Sequence, residues 1–220
     1  MPLYIVSTPI GNLKDITLRA LDVLKESDII LAEDTRRSSV LLNHYGIIGK
    51  RVVSFNDFNK EKKTVHILDH LKENKKISII SDSGTPGISD PGFYLIREAI
   101  KNDIEIVPVP GATAAITGLI ASGFATDSFV FYGFLPKKEK AKMDLFKSIE
   151  NKTAIIYESP YRIIKTLKLM SEMMPEREIC VAREMTKKFE EFIRGKAKDV
   201  YSRLKDRTVK GEITIVINKL

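Results

Sequence analysis

With 220 residues, 43% of them hydrophobic and 30% charged, the chain has the composition of a folded globular protein and is too apolar to be disordered. No apolar run approaches the roughly 20 residues that cross a bilayer, and Met1-Pro2-Leu3-Tyr4 lacks a basic leader region, so a cytoplasmic location is expected. The net charge of +7 is unevenly placed: residues 1–112 carry 15 basic and 15 acidic side chains, residues 113–220 carry 21 and 14. A basic second half suits an anionic partner such as RNA, through phosphate contacts and counterion release, or else forms a solvated lysine-rich surface. The single Cys180 cannot form an internal disulfide, and its apolar neighbours Ile179, Val181 and Ala182 predict that it packs in a strand.

Leu3-Tyr4-Ile5-Val6 reads as a strand emptying into Ser7-Thr8-Pro9-Ile10-Gly11-Asn12-Leu13, after which Thr17 caps a helix with Leu18, Leu21 and Leu24 on its apolar face. No G-x-G-x-x-G follows this strand, which removes the main support for a dinucleotide site. A second strand, 28–32, runs into Glu33-Asp34-Thr35-Arg36-Arg37 and a helix around Val40-Leu41-Leu42. Two acids and two arginines at a strand's carboxyl edge are either a helix cap with surface arginines or a rim that touches substrate. Residues 51–55 predict a third strand and 62–74 a solvated helix. The His66 and His70 of that helix are four apart like half a metal site, but lack the adjacent Glu and any third ligand, so no metal is expected.

The strand Ile77-Ser78-Ile79-Ile80 opens into Ser81 to Gly92, a stretch too rich in Gly, Pro, Asp and Ser to continue it, and Asp90-Pro91 is placed to start the helix that follows. Strand, glycine-rich loop and helix is the arrangement that presents backbone N–H groups to a nucleotide-like ligand, although a tight turn without a ligand has the same composition. After a strand over 104–110, Gly111-Ala112-Thr113-Ala114-Ala115 permits close backbone approach as a helix running to Ser122 begins. About five β-α repeats imply a parallel sheet with helical crossovers. The second half opens with Ser128 to Pro136 and a helix over 137–151, whose Lys137, Lys138, Lys140, Lys142, Lys147 and Lys152 oppose Glu139, Asp144 and Glu150; this helix is the first candidate for RNA-phosphate contact. Strands at 154–157, 179–182 and 213–217 and helices through Ile163, Leu167 and Met170 and over 200–204 complete it. The chain therefore reads as two α/β domains, 1–114 and 115–220, packed directly with a cofactor cleft between them.

The loops, taken together, resemble the tetrapyrrole methylase superfamily of S-adenosylmethionine-dependent enzymes, and within it the branch that 2′-O-methylates a cytidine in the decoding region of 16S rRNA. The resemblance rests on STPIGNLKDIT at 7–17, AEDTRR at 32–37, SDSGTPGISDPG at 81–92, VPGATAA at 109–115, FYGFLP at 131–136, YESP at 157–160, AREMTKKFEEFIRG at 182–195 and KGEITIVI at 210–217, eight motifs in order. It implies an N-terminal parallel sheet with helical crossovers, a C-terminal mixed sheet, S-adenosyl-L-methionine in the cleft, 16S rRNA or the small ribosomal subunit as substrate, and a homodimer. Carried over by motif, Pro9 lines the cofactor; Ser83, Gly84, Thr85 and Ile88 hold its methionine and ribose; Thr113 and Ala114 follow from the VPGATAA turn; Tyr157 and Met185 enclose the adenine. The first loop is less glycine-rich than in tetrapyrrole enzymes, which suits the rRNA branch; a tetrapyrrole or protein substrate, or a non-catalytic RNA-binding role, are the alternatives. A ribose hydroxyl is a weak acid, so a general base or a cation beside the forming alkoxide would assist transfer. Glu33 and Asp34 are the candidates for base or orientation, Arg36 and Arg37 for phosphate or oxyanion contact, and Lys187 and Glu190 are their rivals.

Overall fold

Five short apolar segments set the first half of the fold, which is seen in a computed structural model describing residues 1–149 and 151–219. They are β1 (Leu3–Val6), β2 (Ile29–Ala32), β3 (Arg51–Ser54), β4 (Ile77–Ile80) and β5 (Ile106–Val109), joined by α1 (Leu18–Glu26), α2 (Thr35–His44), α3 (Lys60–Lys72) and α4 (Phe93–Lys101). All pair in parallel in the order β3-β2-β4-β1-β5. The chain moves one way across the sheet from β1 to β3, then reverses to β4 and β5, and right-handed crossovers must then place the first two helices and the last two on opposite faces. The cores show this. Ala20, Val23, Leu24 and Leu42 of α1 and α2 pack with Val6, Ile30, Ala32, Ile80 and Val109, whereas Ile67, Leu68 and Leu71 of α3 and Leu95 and Ala99 of α4 pack with Leu3, Ile5, Ile29, Leu31, Ile77 and Ile79. Successive strand residues alternate between the two clusters, so both faces are buried and the strands lack polar alternation.

The fold divides into two compact units, Met1–Thr113 and the chain from Ala114 onward. The second unit comprises α5 (Ala114–Ser122), β6 (Phe129–Phe134), α6 (Glu139–Ser148), β7 (Thr153–Glu158), α7 (Ile163–Met173), β8 (Glu178–Arg183), β9 (Glu191–Lys196), α8 (Ala197–Leu204) and β10 (Ile213–Ile217). Its mixed sheet has the order β6-β7-β10-β8-β9, with only β6 and β7 parallel. One face carries α6, α7 and α8 over Ile156, Val181, Ile213 and Ile215; the other carries α5, whose Ala115 and Leu119 meet Ile155, Cys180 and Val216. Gly118 explains the close approach of α5: a Cβ there would stand 3.0 Å from Thr214 Cγ2. Cys180 is fully buried, and burial pushes its thiol pKa up against the weaker pull of Arg194, which leaves an inert core residue.

The structure moves several sequence expectations. Thr17 caps α1 through a bond from the Ala20 amide, but this phase buries Ala20, Val23 and Leu24 and leaves Leu18 exposed. Asp90-Pro91 does not start α4; the chain makes a further turn and enters the helix through Gly92 at φ +145°, where a Cβ would stand 3.2 Å from the Gly87 nitrogen. The helix after Gly111 begins only at Ala114. The lysine-rich helix is shorter than expected, so that Lys137, Lys138 and Lys152 lie outside α6; these and Lys140 and Lys147 on it are exposed, but Lys142 is not available to phosphate. Its Nζ is buried, 2.7 Å from Thr166 Oγ1 and 3.4 Å from Glu158 Oε2. Glu158, with no exposed side-chain surface, also takes bonds from the Ser159 amide (2.8 Å), Thr166 Oγ1 (2.6 Å) and Arg162 (2.7 Å). Glu150 of the predicted helix lies outside the described residues.

A charged group this well satisfied is costly to break from one side. Replacing Lys142 with Met should destabilise the full chain in urea titration by about 3 kcal/mol, whereas Lys147→Met on the same helix should stay within about 0.5 kcal/mol. Equal effects would contradict a buried Lys142.

Candidate active site

Because α1 leaves β1 toward one face of the first sheet and α4 leaves β4 toward the other, the loops beyond these adjacent strands part at their carboxyl ends, where ligands of open parallel sheets bind. Across the parting the two loops clasp. The Thr8 amide donates to Gly84 O at 2.8 Å, the Gly84 amide to Thr8 O at 3.2 Å, and Thr8 Oγ1 to Ser81 O at 3.1 Å. Gly84 holds φ +87°, which a β-branched residue adopts only under strain, while a Cβ there would come into contact with Ile10 Cγ2 at 3.4 Å. Thr85 Oγ1 donates to Ala112 O at 3.2 Å and therefore accepts from Ser7 Oγ at 2.9 Å, which joins the loops after β1, β4 and β5. Gly111 completes this seam: a Cβ there would lie 2.7 Å from Ser7 Cβ.

In this way Pro9, Ser83, Gly84, Thr85 and Thr113 are drawn to one edge of the first unit. Pro9 and Gly84 are buried, Ser83 and Thr113 are half-buried, and Ile88 in the same loop is exposed. The Thr85 hydroxyl is spent on the protein, so its part is to lock the loops. What remains at this edge to face a ligand is backbone, the half-buried Ser83 and the exposed side chain of Ile88. Such a set fits an uncharged nucleoside and a methionine chain; among the described residues no group of three His, Cys, Asp or Glu is arranged to hold a metal ion.

Next to this edge, beyond β2, the two neighbouring acids are driven in opposite directions. Asp34 caps α2 by accepting from the Arg36 amide at 2.9 Å and takes a two-pronged ion pair from the Arg36 side chain at 3.0 and 2.6 Å, which holds its carboxyl well below the usual carboxylate range. Glu33 is half-buried, and burial first, then the Asp82 charge, push its pKa above normal against the pull of the Asp82 amide and Arg37. Asp82 is the organiser here: Oδ1 accepts from the Asp34 amide at 3.0 Å and Oδ2 pairs with Arg37 at 3.4 Å. Paired acids with separated pKa values are how a site assigns distinct proton roles.

The second unit gathers its own set on the α5 face of its sheet. The Ala115 amide, one of the unpartnered donors of a helix start, gives its proton to Tyr157 Oη at 3.1 Å, and Tyr157 packs edge-on against Phe131 and Phe134. Met185 is buried between two non-glycine residues in left-handed conformation, Glu184 at φ +49° and Thr186 at φ +65°, and its Cε lies 3.7 Å from where a Gly118 Cβ would be. Strain of this kind needs anchors. Lys187 supplies one, pairing with Glu184 at 3.0 Å and Glu212 at 2.9 Å; burial works against its charge, but the two carboxylates outweigh it and raise its pKa. Glu190 supplies another by accepting from the Thr186 amide at 2.6 Å. Lys187 and Glu190 thus hold the segment that presents Met185, and an ammonium stabilised between two carboxylates is a poor proton acceptor.

Ser7, Ser81 and Asp82 carry much of this geometry and are absent from the sequence-predicted set. Their signal was positional, since all stand one or two residues past the end of β1 or β4. The seam can be tested directly. Gly111→Ala should cost about 2 kcal/mol by overpacking, and Ser7→Gly should recover part of that loss in the double variant, giving a non-additive cycle in urea titration. Strict additivity would show that the two residues do not meet.

The profile of the Tetrapyrrole (Corrin/Porphyrin) Methylases matches residues 2–201. "Ribosomal RNA small subunit methyltransferase I" of Thermotoga maritima is 48% identical over 98% of this chain and 97% of its own, and the protein of the same name from Hydrogenobaculum sp. is 46% identical over 100% and 96%. Its namesake in Halalkalibacterium halodurans is 45% identical, covering 98% of this chain and 75% of its own. Among solved structures, diphthine synthase superposes with a TM-score of 0.76 at 14% identity over 99% and 90% of the two chains, and cobalt precorrin-4 methyltransferase with 0.71 at 19% over 99% and 94%; both share the fold. The chain belongs to the tetrapyrrole (corrin/porphyrin) methylase family and, within it, to the group of ribosomal RNA small subunit methyltransferase I.

Proposed function

We propose that the protein transfers the methyl group of S-adenosyl-L-methionine to the ribose 2′-hydroxyl of a cytidine in 16S rRNA. The observation that carries this reading is near-full-length identity of 45–48% to relatives named for small-subunit rRNA methylation. The loop edge of Pro9, Ser83, Gly84 and Thr113, with Ile88 beside it, would hold the methionine and ribose of the donor, and Ala114, Tyr157 and Met185 would contribute to its adenine. When bound, the donor supplies an electrophilic methyl group on a sulfonium. The protein's remaining work is to align the acceptor oxygen, exclude water and receive a proton.

Glu33 is the residue suited to receive it. A carboxylate whose pKa is raised by burial and by Asp82 is, when ionised, a stronger base than a free one. Asp34, held ionised by Arg36, instead fixes the start of α2 and so the position of Glu33 beside it. Arg37, steered by Asp82 and still largely exposed, is placed to meet a phosphate or the forming alkoxide. The exposed Lys137, Lys138, Lys140, Lys147 and Lys152 and the basic excess of residues 113–220 suit flanking RNA phosphates, with affinity falling as salt rises.

Incubation with methyl-labelled donor and small ribosomal subunits, followed by mass-spectrometric mapping, should find one ribose-methylated cytidine in 16S rRNA. Label entering a porphyrinoid and not RNA would overturn the proposal. Glu33→Gln should lower transfer by about 10²–10⁴-fold while keeping the donor-induced thermal shift. Because the base acts ionised, the wild-type rate should fall as pH drops through a value above the ordinary carboxylate range, and this acid limb should vanish in Glu33→Gln. Gly84→Val should abolish the thermal shift, which at saturating donor reflects a few kcal/mol of linkage, on the order of 2–4.

A further inference from the structure

Phe58, in the turn between β3 and α3, is fully exposed, the extreme among the large apolar side chains of the described residues. Loose loops also expose such side chains, but this turn is braced. The Phe58 amide donates to Asn56 Oδ1 at 3.1 Å, the Asn56 amide to Asn59 Oδ1 at 3.0 Å, and the Asn59 amide to Asn56 O at 3.1 Å. Asn56 Nδ2 reaches Ser54 Oγ at 3.3 Å, Asn59 Nδ2 reaches Ser54 O at 3.4 Å, and Asp57 pairs with Lys60 at 2.9 Å. Six interactions within the seven residues from Ser54 to Lys60 therefore hold the backbone that points the ring outward.

The turn also sits at the rim described above. The Phe55 amide donates to Ala32 O at 2.7 Å, which sets the start of the turn beside Glu33, and Asp57 is near enough to Glu33 for its charge to be felt there. A fixed aromatic face in water, on a turn that starts beside the strand end carrying Glu33 and the exposed guanidiniums of Arg36 and Arg37, has the elements by which single-stranded RNA is bound: a π-surface for an unstacked base and cations for its phosphates.

We propose that Phe58 is a stacking platform for an unpaired RNA base at or beside the methylated nucleotide. This rests on the RNA-methylating reading of the same edge, and it concerns substrate binding without any part in the chemical step. The test uses the full-length protein and small-subunit RNA lacking the modification, with KM and kcat measured for wild type and for Phe58→Ala, Phe58→Leu and Phe58→Trp. Base stacking on an aromatic residue predicts a KM about tenfold higher for Phe58→Ala, with kcat within about twofold of wild type and the donor-induced thermal shift unchanged. Phe58→Trp should restore KM, and Phe58→Leu, equally apolar but without a π-face, should not. An unchanged KM in Phe58→Ala, or rescue by Leu as complete as by Trp, would overturn the proposal. So would a change in sedimentation mass that accounts for the loss, because the ring would then serve contact between copies of the chain. A wild-type protein inert toward small-subunit RNA would overturn the functional reading itself, an outcome distinct from an active wild type matched by Phe58→Ala.

Discussion

The paired backbone bonds between Thr8 and Gly84 are the constraint on which the candidate site depends. Loops at the carboxyl ends of β1 and β4 are sent toward opposite faces by the reversal in strand order, and nothing in the sheet would keep them together. The bridge closes that gap in two bonds and is possible only because residue 84 tolerates φ +87°. Around it, Ser7, Thr8, Ser81 and Thr85 spend their hydroxyls on neighbouring carbonyls and on each other. The edge is thereby rigid before any ligand arrives, and pre-organisation of this sort lowers the cost of binding and of alignment.

The acids beyond β2 show how one fold assigns unlike roles to adjacent residues of the same chemical type. Glu33 and Asp34 differ in sequence by a methylene, yet one is pushed toward protonation and the other away from it. The cause is their surroundings: Asp34 turns outward to the Arg36 guanidinium, and Glu33 turns into a half-buried place beside Asp82. Asp82 binds the Asp34 amide, pairs with Arg37 and raises Glu33, so it couples the β4 loop to the acids and arginines beyond β2. In the second unit, ion pairs have a different use. Lys187 and Glu190 hold a strained segment in place, and Lys142 with Arg162 neutralises a carboxylate that the strand pattern forces into the interior.

Much of the architecture was legible in the amino-acid order. Both β10 and the helix through Ile163, Leu167 and Met170 follow from hydrophobic patterning, and each Gly/Pro-rich stretch does lie past a strand end, because backbone that turns there needs residues free of a Cβ or fixed in φ. Errors fell where periodicity is silent. Asp90-Pro91 has the chemistry of a helix start, but the loop must turn once more around Gly87 before α4 can pack, and the helix begins at Phe93. Lys142 looks like its solvated neighbours in a lysine-rich run, and only its position on α6 opposite Glu158 and Thr166 distinguishes it.

What the sequence determined by itself is the alternation of strand, loop and helix, the places where Gly/Pro-rich loops leave the strands, and the family to which they belong, since these depend on local propensity and on motifs read in order. Tertiary structure decided which hydroxyls are spent on the protein, which lysine is buried and which of two neighbouring acids holds a raised pKa. Those properties arise between residues far apart in the chain, such as Asp34 and Asp82 or Ser7 and Thr85, where electrostatics and hydrogen bonding act through space and local sequence carries no record of the distance.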